Sequence, residues 1–138
     1  MRRFIGSALL ALVMACGGDS TGPSVAGNYT LRTVNGANVP AVVLQDAQEK
    51  DELTSGNINL SSSNSWTGLL TVRATDVPSG QTFTFSAPAN GTFTTSGNSI
   101  TLTDAADASQ FTGTVGGGTL SISGDIGLGT VITLVFKR

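Results

Sequence analysis

The chain has 138 residues and a formal net charge of −2, with 12% charged residues, 18 glycines, one cysteine and no histidine. That length fits one domain. The acidic balance argues against a nucleic-acid surface built on clustered Lys and Arg. A lone cysteine excludes an internal disulfide, and the missing histidine excludes imidazole metal ligands and His-activated nucleophiles.

Arg2 and Arg3 precede an uncharged run, Phe4 to Ala15, rich in Leu, Ala and Val. It is too short to span a bilayer, which takes roughly twenty residues, and has the make-up of a signal-peptide core. Val13-Met14-Ala15-Cys16 resembles the lipobox of bacterial lipoproteins: an aliphatic residue, a small residue before the cut, then Cys. The resemblance implies cleavage between Ala15 and Cys16 and diacylglycerol on Cys16. One acyl chain anchors only marginally and several anchor durably. An ordinary secretory signal with a Cys beside the cut is the alternative. Gly17 to Ser24 is polar and Gly-rich, the composition of a flexible leash. The expected organisation is therefore a signal peptide over 1–15, a tether over 16–24 and a domain over 25–138.

From Val25 onward, short alternating runs are separated by turn residues, the pattern of antiparallel strands with one buried face. Gly27 to Val34 is the first, with Tyr29 and Leu31 on one face, and Asn35-Gly36 marks a turn. Ala41 to Leu44 reads as a strand. Gln45 to Glu52 reads as one or two helical turns or as the polar tip of a hairpin, and β-branched Val42 and Val43 favour the hairpin. Asp46, Glu49, Asp51 and Glu52 then belong to a solvated loop, in a spacing that fits no calcium loop. Thr54 to Ser61 follows, and Ser62-Ser63-Asn64 turns into Ser65 to Thr75, where Trp66, Gly68, Leu70, Val72 and Ala74 share a face. Asp76 to Gly80 is a loop. Thr82 to Ala87 places Phe83 and Phe85 together, and Asn90-Gly91 is expected to turn into Thr92 to Thr95. Ser96-Gly97-Asn98 turns into Ser99 to Thr103, and Asp104 to Ser109 is a polar connection. Phe111 to Val115 and Leu120 to Ile122 flank Gly116-Gly117-Gly118, a hairpin turn rather than a phosphate loop, since no helix or Lys follows it. Ser123 to Gly129 loops into a last strand, Thr130 to Arg138.

The expected fold class is all-β: an antiparallel meander of 8–10 strands that closes, because so many open edges would invite aggregation. An up-and-down barrel and a two-sheet β-sandwich are both closures of such a meander. The recurrent apolar face includes Trp66, Phe83, Phe85, Phe93 and Phe111, and the opposite face is mostly Thr and Ser. A lipid-tethered domain needs no lipid-facing wall, so the apolar face is expected inside, unlike in a transmembrane barrel.

Gly27-Asn28-Tyr29, followed by Val34-Asn35-Gly36 and Pro40, together with the ending Val131 to Arg138, resembles the lipocalins. That family opens its first strand with Gly-x-Trp and sets a basic residue of the last strand over the Trp. Here Tyr29 replaces the Trp, and Lys137 or Arg138 is the basic candidate. The family's central Thr-Asp-Tyr signature is missing. The resemblance implies a lipocalin-like barrel for 25–138 that takes a small apolar ligand, lined by Trp66, Phe83, Phe85, Phe93 and Phe111. These aromatics can equally fill a solid core, which would leave a structural or protein-interaction role. Asp104 and Asp107 stand three apart, a spacing that serves acid–base work, a bound cation or simply a solvated loop. With no catalytic constellation, no enzyme, cofactor or metal is expected. The partners expected are a membrane through the lipid on Cys16 and the apolar ligand, with no nucleic acid. The expected location is the bacterial cell envelope. Gly17, where an inner-membrane retention signal of some bacteria carries Asp, favours the outer membrane, facing the periplasm.

Overall fold

Alternation of apolar and polar residues is realised as ten strands in a single antiparallel sheet in the computed structural model, which describes residues 24–138. In chain order they are β1 Gly27–Val34, β2 Ala37–Asn38, β3 Ala41–Gln45, β4 Glu49–Leu60, β5 Ser65–Asp76, β6 Thr82–Ser96, β7 Ser99–Asp104, β8 Gln110–Gly116, β9 Thr119–Gly124 and β10 Ile132–Lys137. The expected leader, Ala15–Cys16 cleavage site and tether up to residue 23 lie outside the described residues.

β1 closes the sheet by pairing on both sides. Its first half, Gly27 to Thr30, pairs with Leu60 to Asn57 of β4. Its second half, Thr30 to Val34, pairs with Lys137 to Leu134 of β10, with an irregularity between Leu31 and Thr33. The ring is therefore β1-β10-β9-β8-β7-β6-β5-β4, an eight-stranded up-and-down barrel of lipocalin-like form, not a two-sheet sandwich. β2 and β3 sit outside the ring, where they pair with the ends of β1 and β4. Closure removes the edges that an eight-strand meander would otherwise expose.

The apolar face points inward. Tyr29, Leu31, Leu60, Trp66, Ile100, Leu102, Leu120, Ile122, Leu134 and Phe136 are buried together. Outward positions such as Thr30, Thr67, Thr92, Thr94, Thr112 and Thr114 are exposed. One end of the barrel has short turns: Gly97-Asn98, Gly117-Gly118 and the Ser61 to Asn64 turn. Gly117 and Gly118 both take positive φ (60° and 77°), which a two-residue hairpin of this twist requires. The other end carries the longer connections, 105–109 and 125–131, so the barrel is a cup with a distinct mouth.

Three expectations need correction. Asn90-Gly91 is not a turn: β6 runs unbroken for 15 residues. It pairs with β5 from Thr82 to Thr92 and with β7 only from Gly91 onward. Pro88 is tolerated because that half of β6 has a ladder on one side only. Gly91 marks a close approach of two backbones, since a Cβ there would overlap the Thr103 carbonyl. Second, the hairpin favoured over Gln45 to Glu52 forms between β3 and β4, but its polar tip is only residues 46–48. β4 begins at Glu49, and Asp46 closes the tip by accepting the amides of Gln48 (2.7 Å) and Glu49 (2.8 Å). Asp51 is accordingly buried on the inner face of β4 rather than solvated. Third, Phe83 and Phe85 are exposed, because they precede Gly91, where β6 first meets the end of β7.

Candidate ligand cavity

A cavity of about 270 Å³ opens at the mouth of the cup. Its inner wall comes from inward positions of six strands, with Ile58, Trp66, Leu102, Phe111, Ile122 and Phe136 contributing one each. Leu70, Ala87 and Ala89 form one side, where β5 and β6 leave the ring, and Asp104, Asp107 and Asp125 stand among the residues of the two mouth loops.

Trp66 is held in place. Its indole N–H donates to the Thr103 carbonyl at 3.2 Å, which meets the requirement that a buried indole find an acceptor. Gly91 leaves room for the ring, as an added Cβ would lie 2.9 Å from Nε1. Phe111 packs over Gly124 of β9, where any Cβ would overlap its ring. These two contacts give the cavity an aromatic lining with defined orientation.

The mouth loops are built on aspartates. Asp104 Oδ1 accepts the Ala106 amide at 2.7 Å, and Asp107 Oδ1 accepts the Ser109 amide at 3.0 Å. Asp125 Oδ1 accepts from Gly127 and Leu128, both at 2.8 Å, and from Gly129 at 3.2 Å. The Ser109 hydroxyl and amide hold the Asp107 carboxyl below the usual carboxylate range. Among the described residues, none of the three forms an ion pair, and no group of three or more acidic or other ligating side chains is placed to hold a metal.

The aromatic residues singled out from the sequence separate into three sets. Trp66 and Phe111 line the cavity. Phe93 is buried in the core without reaching it, and Phe83 and Phe85 lie outside the ring. Asp104 and Asp107 fall in one mouth loop, as their spacing indicated. Asp125 was missed, since it begins a Gly-rich loop whose position over the cavity only barrel closure reveals. Leu70, Ala87 and Ala89 line the cavity as part of a long strand pair. Cys16 lies outside the described residues.

At the opposite end Tyr29 and Arg138, with the 97–98 and 116–118 turns, border a second, smaller cavity of about 230 Å³. Tyr29 donates its hydroxyl to the Val25 carbonyl at 2.6 Å. The Arg138 guanidinium stands 5.7 Å from the centre of the Tyr29 ring and donates to the Ala26 and Ser24 carbonyls at 2.9 and 3.2 Å. Of the two basic candidates it is thus Arg138 that covers the first-strand aromatic, a cation–π arrangement, while Lys137 is exposed.

Comparison with protein-family models, with curated proteins and with solved structures returns no match to this chain. The fold class therefore rests on the strand pairing itself.

Proposed function

We propose that this protein is a non-enzymatic binding protein of the bacterial cell envelope, tethered through lipid on Cys16, that holds a small apolar ligand in the mouth of its barrel. The cavity beside Trp66 and Phe111 carries this reading, because a barrel filled solid would leave no such space. A volume of about 270 Å³ suits a short chain or a single ring system, or one end of something longer. The anchor rests on the lipobox resemblance of Val13 to Cys16 and the polar leash after it. Gly17, at the second position of the mature chain, is not the Asp that retains lipoproteins at the inner membrane in some bacteria, which favours the outer membrane.

Trp66 supplies the test, as the single tryptophan of the chain. Titration of residues 20–138 with N-phenyl-1-naphthylamine, a neutral apolar dye, is expected to give saturable energy transfer from Trp66. A linear, unsaturable response overturns the ligand reading. For the anchor, Cys16→Ser is expected to move the full-length protein from the membrane to the aqueous fraction and to abolish incorporation of labelled fatty acid. Persistence of both signals overturns it. A second reading, an interaction protein whose partner binds the sheet, is favoured by exposed Phe83 and Phe85.

A further inference from the structure

The cavity is apolar within and acidic at its opening. Every Asp and Glu side chain among the described residues lies at the mouth end of the strands: Asp104 at the end of β7 and Asp107 and Asp125 in the loops beside the cavity, the others on or near the β3–β4 and β5–β6 hairpins. The basic residues do not offset the three that border the cavity. Lys50 and Arg73 both pair with Glu52, Lys137 and Arg138 stand at the opposite end, and Arg32 is exposed on β1 outside the cavity lining. Among the described residues, no Lys or Arg lines the cavity.

The loops themselves do not require this charge. A turn of this kind needs one side-chain acceptor, which Asn or Ser supplies as well as Asp. Each of the three aspartates spends Oδ1 on its loop amides, the Ser109 hydroxyl adds to the Asp107 carboxyl, and Oδ2 of Asp104 and Asp125 has no hydrogen-bond partner among the described residues. The carboxylates are also not gathered into a metal-binding group. A hard cation wants several oxygens at once, whereas carboxylates set on two separate connections suit a large, weakly hydrated cationic head. An anionic amphiphile would bring like charge to this opening, a repulsive selection against it.

We infer that the ligand of this cavity is a cationic amphiphile, an alkyl or aryl amine or quaternary ammonium, with its hydrocarbon body against Trp66, Leu70 and Phe111 and its head at the Asp104, Asp107 and Asp125 opening. This rests on the cavity being a ligand site, and it names the ligand's class.

Three probes of equal chain length separate the two statements: octyltrimethylammonium, octanol and octanoate, each titrated into the Trp66-containing domain below its self-association concentration. The cation is expected to bind about tenfold or more tighter than octanoate, with octanol between, a spread that corresponds to about 1.4 kcal/mol. Raising the salt concentration is expected to narrow it. The combined variant Asp104→Asn, Asp107→Asn, Asp125→Asn keeps the loop acceptors and is expected to collapse the ratio of cation to alcohol affinity, with folding checked by circular dichroism. Equal binding of the three probes, or tighter binding of octanoate, overturns the cationic assignment and leaves the cavity reading standing. Binding of none of them overturns both. Should the variant fail to fold, the probe series and its salt dependence in the unaltered protein decide the matter.

Discussion

The closed barrel and the ribbon that projects from it are written in the same alternating pattern, yet they end up differently. The ribbon consists of β3, the first residues of β4, the last of β5 and the first of β6. Two cross-strand rows on its inner face show the difference. Ala41, Leu53, Val72 and Phe85 are aligned across the four strands, and so are Leu44, Asp51, Ala74 and Phe83. Along the first row exposure climbs from 4% at Ala41 and 0% at Leu53 to 50% at Phe85; in the second, Asp51 is 8% exposed and Phe83 60%. Leu53, near the ring, is covered by the packed core, which Val39 and Val43 extend towards β3. The β6 side has no opposing wall. Alternation determines which residues share a face, and closure determines whether that face is buried.

The largest expected effect breaks the barrel and spares the ribbon. Phe136 is wholly buried in the ring, and Phe136→Ala is expected to cost about 3–5 kcal/mol. Phe85→Ala, the same chemical change on the ribbon, should cost less than about 1 kcal/mol, since half of that ring is already in water. Urea denaturation monitored by Trp66 fluorescence compares them directly. Equal losses would mean that the ribbon's inner face is covered as well as the barrel's. Gly91→Ala acts at the junction of the two, where the added methyl would overlap the Thr103 carbonyl. A loss of about 1–3 kcal/mol is expected from overpacking against backbone.

Asp51 sharpens the comparison from the other direction. Its Oδ1 is buried and has no hydrogen-bond partner among the described residues, and its charge raises the Glu49 carboxyl above the usual range. A polar atom left unpaired in this way is costly, so Asp51→Val should stabilise the domain by about 1 kcal/mol or more. β-Branched Val also suits a strand. A fall in the urea midpoint would show that Asp51 has a partner in solution.

Much of this architecture is legible from the chain alone, for a local reason. Strand positions follow from period-two alternation and turn chemistry, so the Asn35-Gly36 and Gly116 to Gly118 turns and most strands stand where the residues put them. Asn90-Gly91 misleads because its turn signature is local, while β6 runs on through a change of neighbours that only long-range pairing defines. Phe83 and Phe85 share the inward parity of Trp66 and Phe93, and nothing near them in sequence shows that β7 is too short to face them. At the cavity, Trp66 and Phe111 are recoverable from parity. Asp125 is not, because its place beside Asp104 and Asp107 depends on the ring bringing two distant loops together.

The smallest effect concerns the ribbon's outer face, where the Arg73 guanidinium bonds Glu52 through Nε at 2.8 Å and through Nη2, with Lys50 3.3 Å from the same carboxylate. Arg73 is the main cause holding the Glu52 carboxyl below its usual range. A depressed carboxyl pKa contributes stability above the unfolded-state value, and that contribution disappears as pH falls through the folded-state value. The pair is largely at the surface, so screening keeps the gain below about 1 kcal/mol. Arg73→Leu should therefore be slightly less stable than the unaltered protein at neutral pH, with the difference fading once pH drops beneath the carboxylate range. Denaturation midpoints at neutral and acidic pH test this. A difference that persisted in acid would assign Arg73's contribution to the packing of its aliphatic stem across the ribbon instead of to its charge.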